Sequence, residues 1–486
     1  MDEYLPKPGS IPTLPVPDLS AMRAIHLVGI GGAGMSGIAR LLLSRGVHVT
    51  GSDLKGSSGI RQLEAAGASV SLGHAAANLD RPDAVVVSTA IPPDNPEVVA
   101  ARAREVPVLA RAQVLAALMR DRRGIAVAGT HGKTTTTSMI AVLLERAGLD
   151  PTYVIGGDLN ESGSNARSGE GDLFVAEADE SDGSFLLLSP EIAVVTNVDE
   201  DHLDFYSDRD EVEAAFVAFC RRAGTVVACG DDAAARRVLQ SSGTPAITYG
   251  EGADNDVVVE AVELPNDGGR CRVSIAGRTV DVAVPIPGRH YLLNAAAALA
   301  VGNMVGVKPE EGAEALRAFT GVRRRFERRG SAGGAVFVDD YAHHPVEVAA
   351  TLDAARTDRV RRVVAVFQPH RYTRTAALSR QLGESLSSAD MIVVTDVYGA
   401  GELPVPGISG KLVVDALVEA SPGKRAVYLP RRSDVAPFLA GEVRSGDLIL
   451  TLGAGDITMV GEETLARLEG GATFEKASSE HAERAP

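Results

Sequence analysis

Twice before residue 150 an apolar run ends in a glycine-rich turn that opens straight into a helix-length stretch, and this order leaves few folds open. The first copy runs IHLVGI into GIGGAG and on to Arg45; the second runs GIAVAG, from Gly124, into GTHGKTTTT and on to about Arg146. A strand that feeds a helix through so tight a turn is a βα unit, and repeated units build a parallel sheet with covering helices. The alternation continues through VHVTGSD ending at Asp53, Ala84 to Val87, the helix-like RAQVLAALMRDRR, Leu173 to Ala176, Ile192 to Thr196 and Val226 to Ala228. Between residues 256 and 286 alternating residues predict a small antiparallel excursion. A third series, AVFVDDY, RRVVAVFQ, MIVVTDVY, RAVYL and DLILTLGAGD, predicts another parallel sheet.

At 486 residues the chain exceeds one core, and roughly 100 to 200 residues per domain predicts about three. The expected class is α/β with three domains, each a mostly parallel sheet with covering helices: Rossmann-like at the N-terminus, P-loop ATPase-like in the centre and Rossmann-like at the C-terminus. The expected bounds are 21–121, 122–322 and 323–470. Pro6, Pro8, Pro12, Pro15 and Pro17 make 1–20 a flexible leader, and the polar residues 471–486 a flexible tail.

Composition excludes several functions. A formal charge of −16 repels a phosphate backbone, so nucleic acid is not an expected partner. No apolar stretch is long enough to span a membrane, and no basic segment followed by an apolar run opens the chain, so a cytoplasmic protein without membrane insertion is expected. Cys220, Cys229 and Cys271 are odd in number and lack C-x-x-C spacing, which argues against a disulfide framework or a zinc site and fits a reducing compartment. The sequence leaves monomer and homodimer both open.

The first turn supplies G-x-G-x-x-G as Gly29, Gly31 and Gly34, where backbone N–H groups can approach a diphosphate; Asp53 stands where a ribose hydroxyl would be met. Alone, this pattern suits a bare turn, a NAD site or another nucleotide diphosphate. GTHGKTTTT is more specific. Lys133 is placed for β and γ phosphates and Thr134 for Mg²⁺, although the loop, from Gly129, is shorter than the standard P-loop. Acidic clusters follow at strand ends: EADESD with Glu177, Asp179, Glu180 and Asp182, and NVDEDHLD with Asp199, Asp201 and His202. Oxygen ligands suit Mg²⁺, making Glu177 a natural choice. VRRRFERR, residues 322–329, reads as either a solvated linker or a phosphate-reaching string. YAHHP and FQPHRYTR each follow an apolar strand and bring imidazoles and guanidinium groups for proton transfer and carboxylate binding.

Taken together, these residues resemble the Mur ligase family, whose three domains bind a UDP-sugar, ATP and an incoming amino acid. GTHGKTTT, EADESD, TNVDEDHLD, the H-x-x-x-N of His290 to Asn294, DDYAHHP and FQPHRYTRT occur in order across about residues 24–457. Within the family, GIGGAGMSG with DDYAHHP and PHRYTR resembles the branch that adds L-alanine. The resemblance implies that Gly31, Gly32, Ala33, Gly34, Asp53 and His131 bind UDP-N-acetylmuramate. Gly129, Thr130, Gly132, Lys133, Thr134, Thr135, Asn294, Arg325 and Asp340 would bind ATP, and Thr134, Glu177 and His202 two Mg²⁺ ions. Tyr341, His343 and Arg374 would form the alanine site, with Lys133, His343 and Arg374 as the catalytic set. His290 is followed by Tyr291, where many relatives have Asn, and no Lys lies between Lys133 and Lys308 to be carbamylated. The implied reaction is ATP-driven attachment of L-alanine to the lactyl carboxylate through an acyl phosphate. The alternatives are a ligase adding a recycled tripeptide to the same sugar nucleotide and, from another class, a NAD-dependent oxidoreductase.

Overall fold

A computed structural model describes residues 15–201, 205–265, 267–357 and 359–469. The chain forms two compact units: residues up to 263, with 270–285 and 291–322, make the first; 264–269, 286–290 and residues from 323 onward make the second.

The first unit carries two sheets. In the five-stranded one the order is Ser69–Leu72, His48–Asp53, Ala24–Val28, Ala84–Val87, Val108–Ala110, parallel throughout. The central strand is buried on both faces, as a parallel strand between helices must be; Ile25, Leu27 and Val28 are fully enclosed. GIGGAG ends this strand and starts the helix Ala33–Ser44, which buries Met35, Ile38, Leu41 and Leu42. A Cβ on Gly37 would meet Val154 and Ala166, so glycine here lets the helix lie close against strands of the larger sheet.

The ten-stranded sheet has a parallel heart, Thr225–Cys229, Ile192–Val195, Arg123–Ala128, Leu173–Glu177 and Thr152–Val154 in that order. Val257–Glu263 and Gly269–Ile275 pair antiparallel and Arg278–Val284 forms the edge, which is the excursion the alternation predicts. Ala246–Gly250 and the short pair Thr152–Val154 and Ala166–Arg167 were not foreseen; the pair, at three and two residues, carries too little pattern.

In the second unit the six strands run Glu327–Ala332, Ala335–Asp340, Asp447–Leu452, Arg362–Phe367, Met391–Val394, Arg425–Tyr428. Only the first is antiparallel to its neighbour. Strand alternation sends Val363, Ala365 and Phe367 to one core and Val364 and Val366 to another, so both faces are covered.

Two expectations are corrected. The end of VRRRFERR is not a solvated linker but the start of the edge strand Glu327–Ala332, whose charged residues and glycine hide its pairing from any hydrophobic pattern. The last leader residues, 15–20, are held rather than loose: Gln113 donates to the Pro15 carbonyl at 2.8 Å, Arg120 to that of Val16 at 2.7 Å, and Val16 and Leu19 pack on the core. The rest of the proposed leader and the tail 471–486 lie outside the described residues. Among the described residues no helix is long and apolar enough to cross a membrane.

In the first unit Phe185 meets Phe216 edge-on at 5.4 Å and stacks on Phe219 at 5.0 Å, with all three buried. Phe216→Ala should destabilise this unit by about 3–5 kcal/mol. A urea titration that leaves the unfolding midpoint unmoved would contradict this packing account.

Candidate functional site

The glycine–lysine loop joins the strand Arg123–Ala128 to the helix Lys133–Arg146. Gly129 and Gly132 take positive φ, +136° and +81°, which side chains resist. A Cβ on Gly129 would also strike Thr196, and one on Gly132 would come within 3.1 Å of Asn294 Oδ1. The flanking strand Ile192–Val195 runs on into residues that hold the loop. Asn197 Oδ1 accepts from His131 N at 2.9 Å and Asn197 Nδ2 donates to His131 O at 3.0 Å. Thr130 Oγ1 accepts from Asp199 N at 2.8 Å.

The Lys133 ammonium lies 2.6 Å from Gly129 O, 3.2 Å from Thr130 O and 2.7 Å from Glu180 Oε1. Burial works against its charge, but the carboxylates of Glu180, Asp179 and Glu177 outweigh burial and raise its pKa. It is therefore a fixed cation at neutral pH. Next to it, Thr134 Oγ1 donates to Glu177 Oε1 at 3.1 Å, while Glu177 Oε2 accepts from Gly156 N at 2.7 Å. A Cβ on Gly156 would press into that carboxylate, so the cradle is shaped around Glu177. A hydroxyl and an oriented carboxylate in contact fit a hard divalent cation such as Mg²⁺. His202, the third expected ligand, lies outside the described residues.

At the first glycine turn, Gly29 N and Ile30 N donate to Ser52 O, and Gly31 N donates to Asp53 Oδ2 at 2.9 Å. Asp53 thus faces the turn's own amide, which fixes its carboxylate beside the turn. Gly32 caps the helix that Ala33 and Gly34 begin. Arg111, which the sequence reading did not single out, starts the helix Arg111–Met119; its guanidinium fills the space beside Gly34 and lies 3.6 Å from Asp179.

A buried network under the same strand ends was also missed. Glu97 accepts from Ser52 Oγ at 2.5 Å and Asn78 Nδ2 at 2.5 Å, with His26 and His74 at 3.6 and 3.4 Å. Burial alone would raise the carboxyl pKa; the nearby His26 imidazole and the hydrogen bonds from Ser52 and Asn78 prevail and hold it at about 2.

The second unit collects Arg325, Asp340, Tyr341, His343 and Arg374. Asp340 ends the strand Ala335–Asp340 and accepts from Phe326 N at 2.6 Å and Ala342 N at 2.7 Å. Burial pushes its pKa up to about 6 against the opposing pull of Arg325. Arg324 and Arg325 lie over the Tyr341 ring at 4.9 and 5.2 Å, and Arg325 is 3.8 Å from Glu347. His343 Nδ1 is 2.9 Å from Tyr341 O. The rings of Tyr341, His343, His370 and Tyr398 follow one another at 5.4, 5.5 and 5.8 Å. Burial, then His343 and Arg374, depress His370 to about 3, and Arg374 Nη1 lies 3.4 Å from its Nδ1. Arg371 takes a left-handed φ of +71°, held by Tyr398 O and Glu402. Tyr398 and Glu402 reach this cluster from a loop that gives no periodic signal.

Comparison with known proteins divides the chain into three, one family model for each of the three sheets. A Mur ligase family catalytic-domain model matches residues 24–123, a Mur ligase middle-domain model 127–302, and a model described as Mur ligase, glutamate ligase domain, 324–455. The UDP-N-acetylmuramate–L-alanine ligase of Saccharopolyspora erythraea is 50% identical over 476 residues, covering 95% of this chain and 97% of that protein. The crystal structure of UDP-N-acetylmuramate-alanine ligase from Thermotoga maritima superposes with a TM-score of 0.79 at 31% identity, covering 93% of this chain and 100% of that one. A murein peptide ligase from Psychrobacter arcticus gives 0.71 at 26% identity, covering 92% and 98%.

The depressed pKa of Glu97 predicts a pH signature. A folded-state value of about 2, against an ordinary 4.5, contributes stability above about pH 4.5 that is lost as pH falls toward 2. Glu97→Gln should flatten that part of the stability profile; an unchanged acid limb in a thermal-unfolding series would remove the network's assigned role.

Proposed function

This chain belongs to the Mur ligase family, and from that premise we propose that it uses ATP to join L-alanine to the lactyl carboxylate of UDP-N-acetylmuramate, releasing ADP and phosphate. The observation that carries this reading is the likeness, over nearly the whole chain, to a ligase of that reaction. The site chemistry supports it. A carboxylate is a poor electrophile and holds an oxygen that cannot leave, so the reaction needs that oxygen converted into phosphate. The lactyl oxygen attacks the γ-phosphorus, ADP departs, and the neutral amine of alanine displaces phosphate from the acyl carbon.

Two anions must approach for the first step, and a fixed cation lowers that barrier. Lys133 is suited to this because its acidic neighbours keep it charged despite burial. We assign the ATP phosphates to Gly129, Thr130, Gly132, Lys133, Thr134 and Thr135, beside Asn294, and the sugar nucleotide to the turn Gly31–Gly34. Mg²⁺ held by Thr134 and Glu177, with His202 for a second ion in the family pattern, would supply positive charge against the phosphate oxygens.

For the amine step we assign Tyr341, His343 and Arg374 to alanine. The Tyr341 carbonyl accepts a proton held on His343 Nδ1, which places the lone pair of the neutral ring on Nε2. His343 is then a base for the amine proton, and Arg374 offers a guanidinium to the amino-acid carboxylate. The depressed pKa of His370 keeps that neighbour neutral, so it adds no charge to compete with Arg374. A cytoplasmic setting agrees with three buried free thiols, Cys220, Cys229 and Cys271.

Lys133→Ala should lower kcat by about 10²–10³-fold or more, the scale seen when one stabilising charge or donor is removed, with UDP-N-acetylmuramate affinity unchanged. ADP release by the wild-type protein should require all three substrates together. Turnover without alanine, or normal turnover in the Lys133 variant, would defeat the scheme.

A further inference from the structure

We propose that Arg111 is a phosphate-binding residue of the sugar-nucleotide site, bringing its guanidinium to the diphosphate at the glycine-rich turn; this rests on the reading of that turn given above. Three observations point to it. The strand Val108–Ala110, which Arg111 follows, runs parallel with Ala84–Val87 and through it with Ala24–Val28, so Arg111 and the turn emerge at the same edge of one sheet. Its side chain is seated over the first turn of the helix Ala33–Ser44: a Cβ on Gly34 would collide with the guanidinium and come within 3.1 Å of Arg111 Cδ. Glycine at 34 therefore leaves room for a cation as well as for close approach to the backbone.

The third observation is what the donors hold. Gly31 N binds the Asp53 carboxylate at 2.9 Å, and Arg111 Nη2 faces the Asp179 carboxylate at 3.6 Å. A backbone amide and a guanidinium on one turn each present themselves to an anionic oxygen, and carboxylate and phosphate oxygens compete for the same donors. The Arg111–Asp179 pair is long and its acid is 39% exposed, so it binds weakly and yields to a doubly charged diphosphate. The simpler alternative is a tether, with Arg111 merely tying the glycine turn to the EADESD loop.

Calorimetric titration of the full-length wild type, Arg111→Ala and Arg111→Lys with UDP, UDP-N-acetylmuramate and a non-hydrolysable ATP analogue separates these. Loss of a charge-assisted, fork-shaped contact should weaken UDP and UDP-N-acetylmuramate by the same factor, about 10- to 100-fold. ATP-analogue affinity and the unfolding midpoint should stay at wild-type values. Arg111→Lys should recover part of the loss, since Lys keeps the charge but not the fork; if Arg111→Ala does not fold, a shared loss of several-fold for both ligands in Arg111→Lys carries the test. Undiminished UDP binding overturns the proposal, as does a loss confined to UDP-N-acetylmuramate, which would move Arg111 to the lactyl carboxylate. A matching fall in ATP-analogue affinity would assign the tether instead. If the wild type binds no UDP-sugar at all, the proposed function fails, and not only this residue.

Discussion

The ion pair between Lys133 and Glu180 organises the first unit's chemistry. An ammonium drawn into a tight glycine loop loses its water, and without a partner it would give up its proton or its place. Glu180, 2.7 Å away, and the carbonyls of Gly129 and Thr130 replace that water. The partner is available because Leu173–Glu177 pairs directly with Arg123–Ala128, so the loop and the acidic EADESD stretch leave the sheet at the same carboxyl edge. On the loop's other side Ile192–Val195 delivers Thr196 and Asn197, which bind His131. Three adjacent parallel strands thus contribute the cation, its counter-charge and the loop's clamp.

The same rule recurs in the other sheets, since ligands of open α/β sheets gather where parallel strands end. In the five-stranded sheet the carboxyl edge holds the glycine turn, Asp53 and Arg111. In the six-stranded sheet the strand ending at Asp340 leads into Tyr341 and His343, and the strand ending at Phe367 leads into His370 and Arg374. Backbone strain accompanies that cluster: Arg324, Phe326 and Arg371 all carry positive φ, and each is tied down by hydrogen bonds to or from its neighbours. A backbone bent this way gathers side chains from separate strands into one cluster, at a conformational cost that regular elements avoid.

Apolar runs such as IHLVGI and DLILTL named their own strands because parallel strands are buried on both faces and have nothing polar to show. The edge strand Glu327–Ala332 could not be named that way. ERRGSA is exposed or half-buried, and its pairing depends on Ala335–Asp340 lying beside it. Lys133, Thr134 and Glu177 stood out as candidates because phosphate and metal chemistry restrict both residue type and spacing, and the structure sets Thr134 against Glu177 and Lys133 against Glu180. Asp53 was legible as a candidate but not in its bond to Gly31 N, which the turn's geometry makes. Glu97, Arg111, Tyr398 and Glu402 were silent: each works through partners distant in sequence, and nothing local to them differs from an ordinary surface or core residue.

Sequence alone therefore determined the α/β class, the two glycine turns and the strand–loop–helix setting of the glycine–lysine loop, because backbone sterics and strand burial act on neighbouring residues. Only the tertiary structure decided which carboxylate answers which cation, that Glu97 is held ionised among His26, Ser52 and Asn78, and that Arg111 stands beside Gly34. Those are outcomes of strand order, and strand order is set by the packing of whole faces against one another, which no short stretch of residues contains.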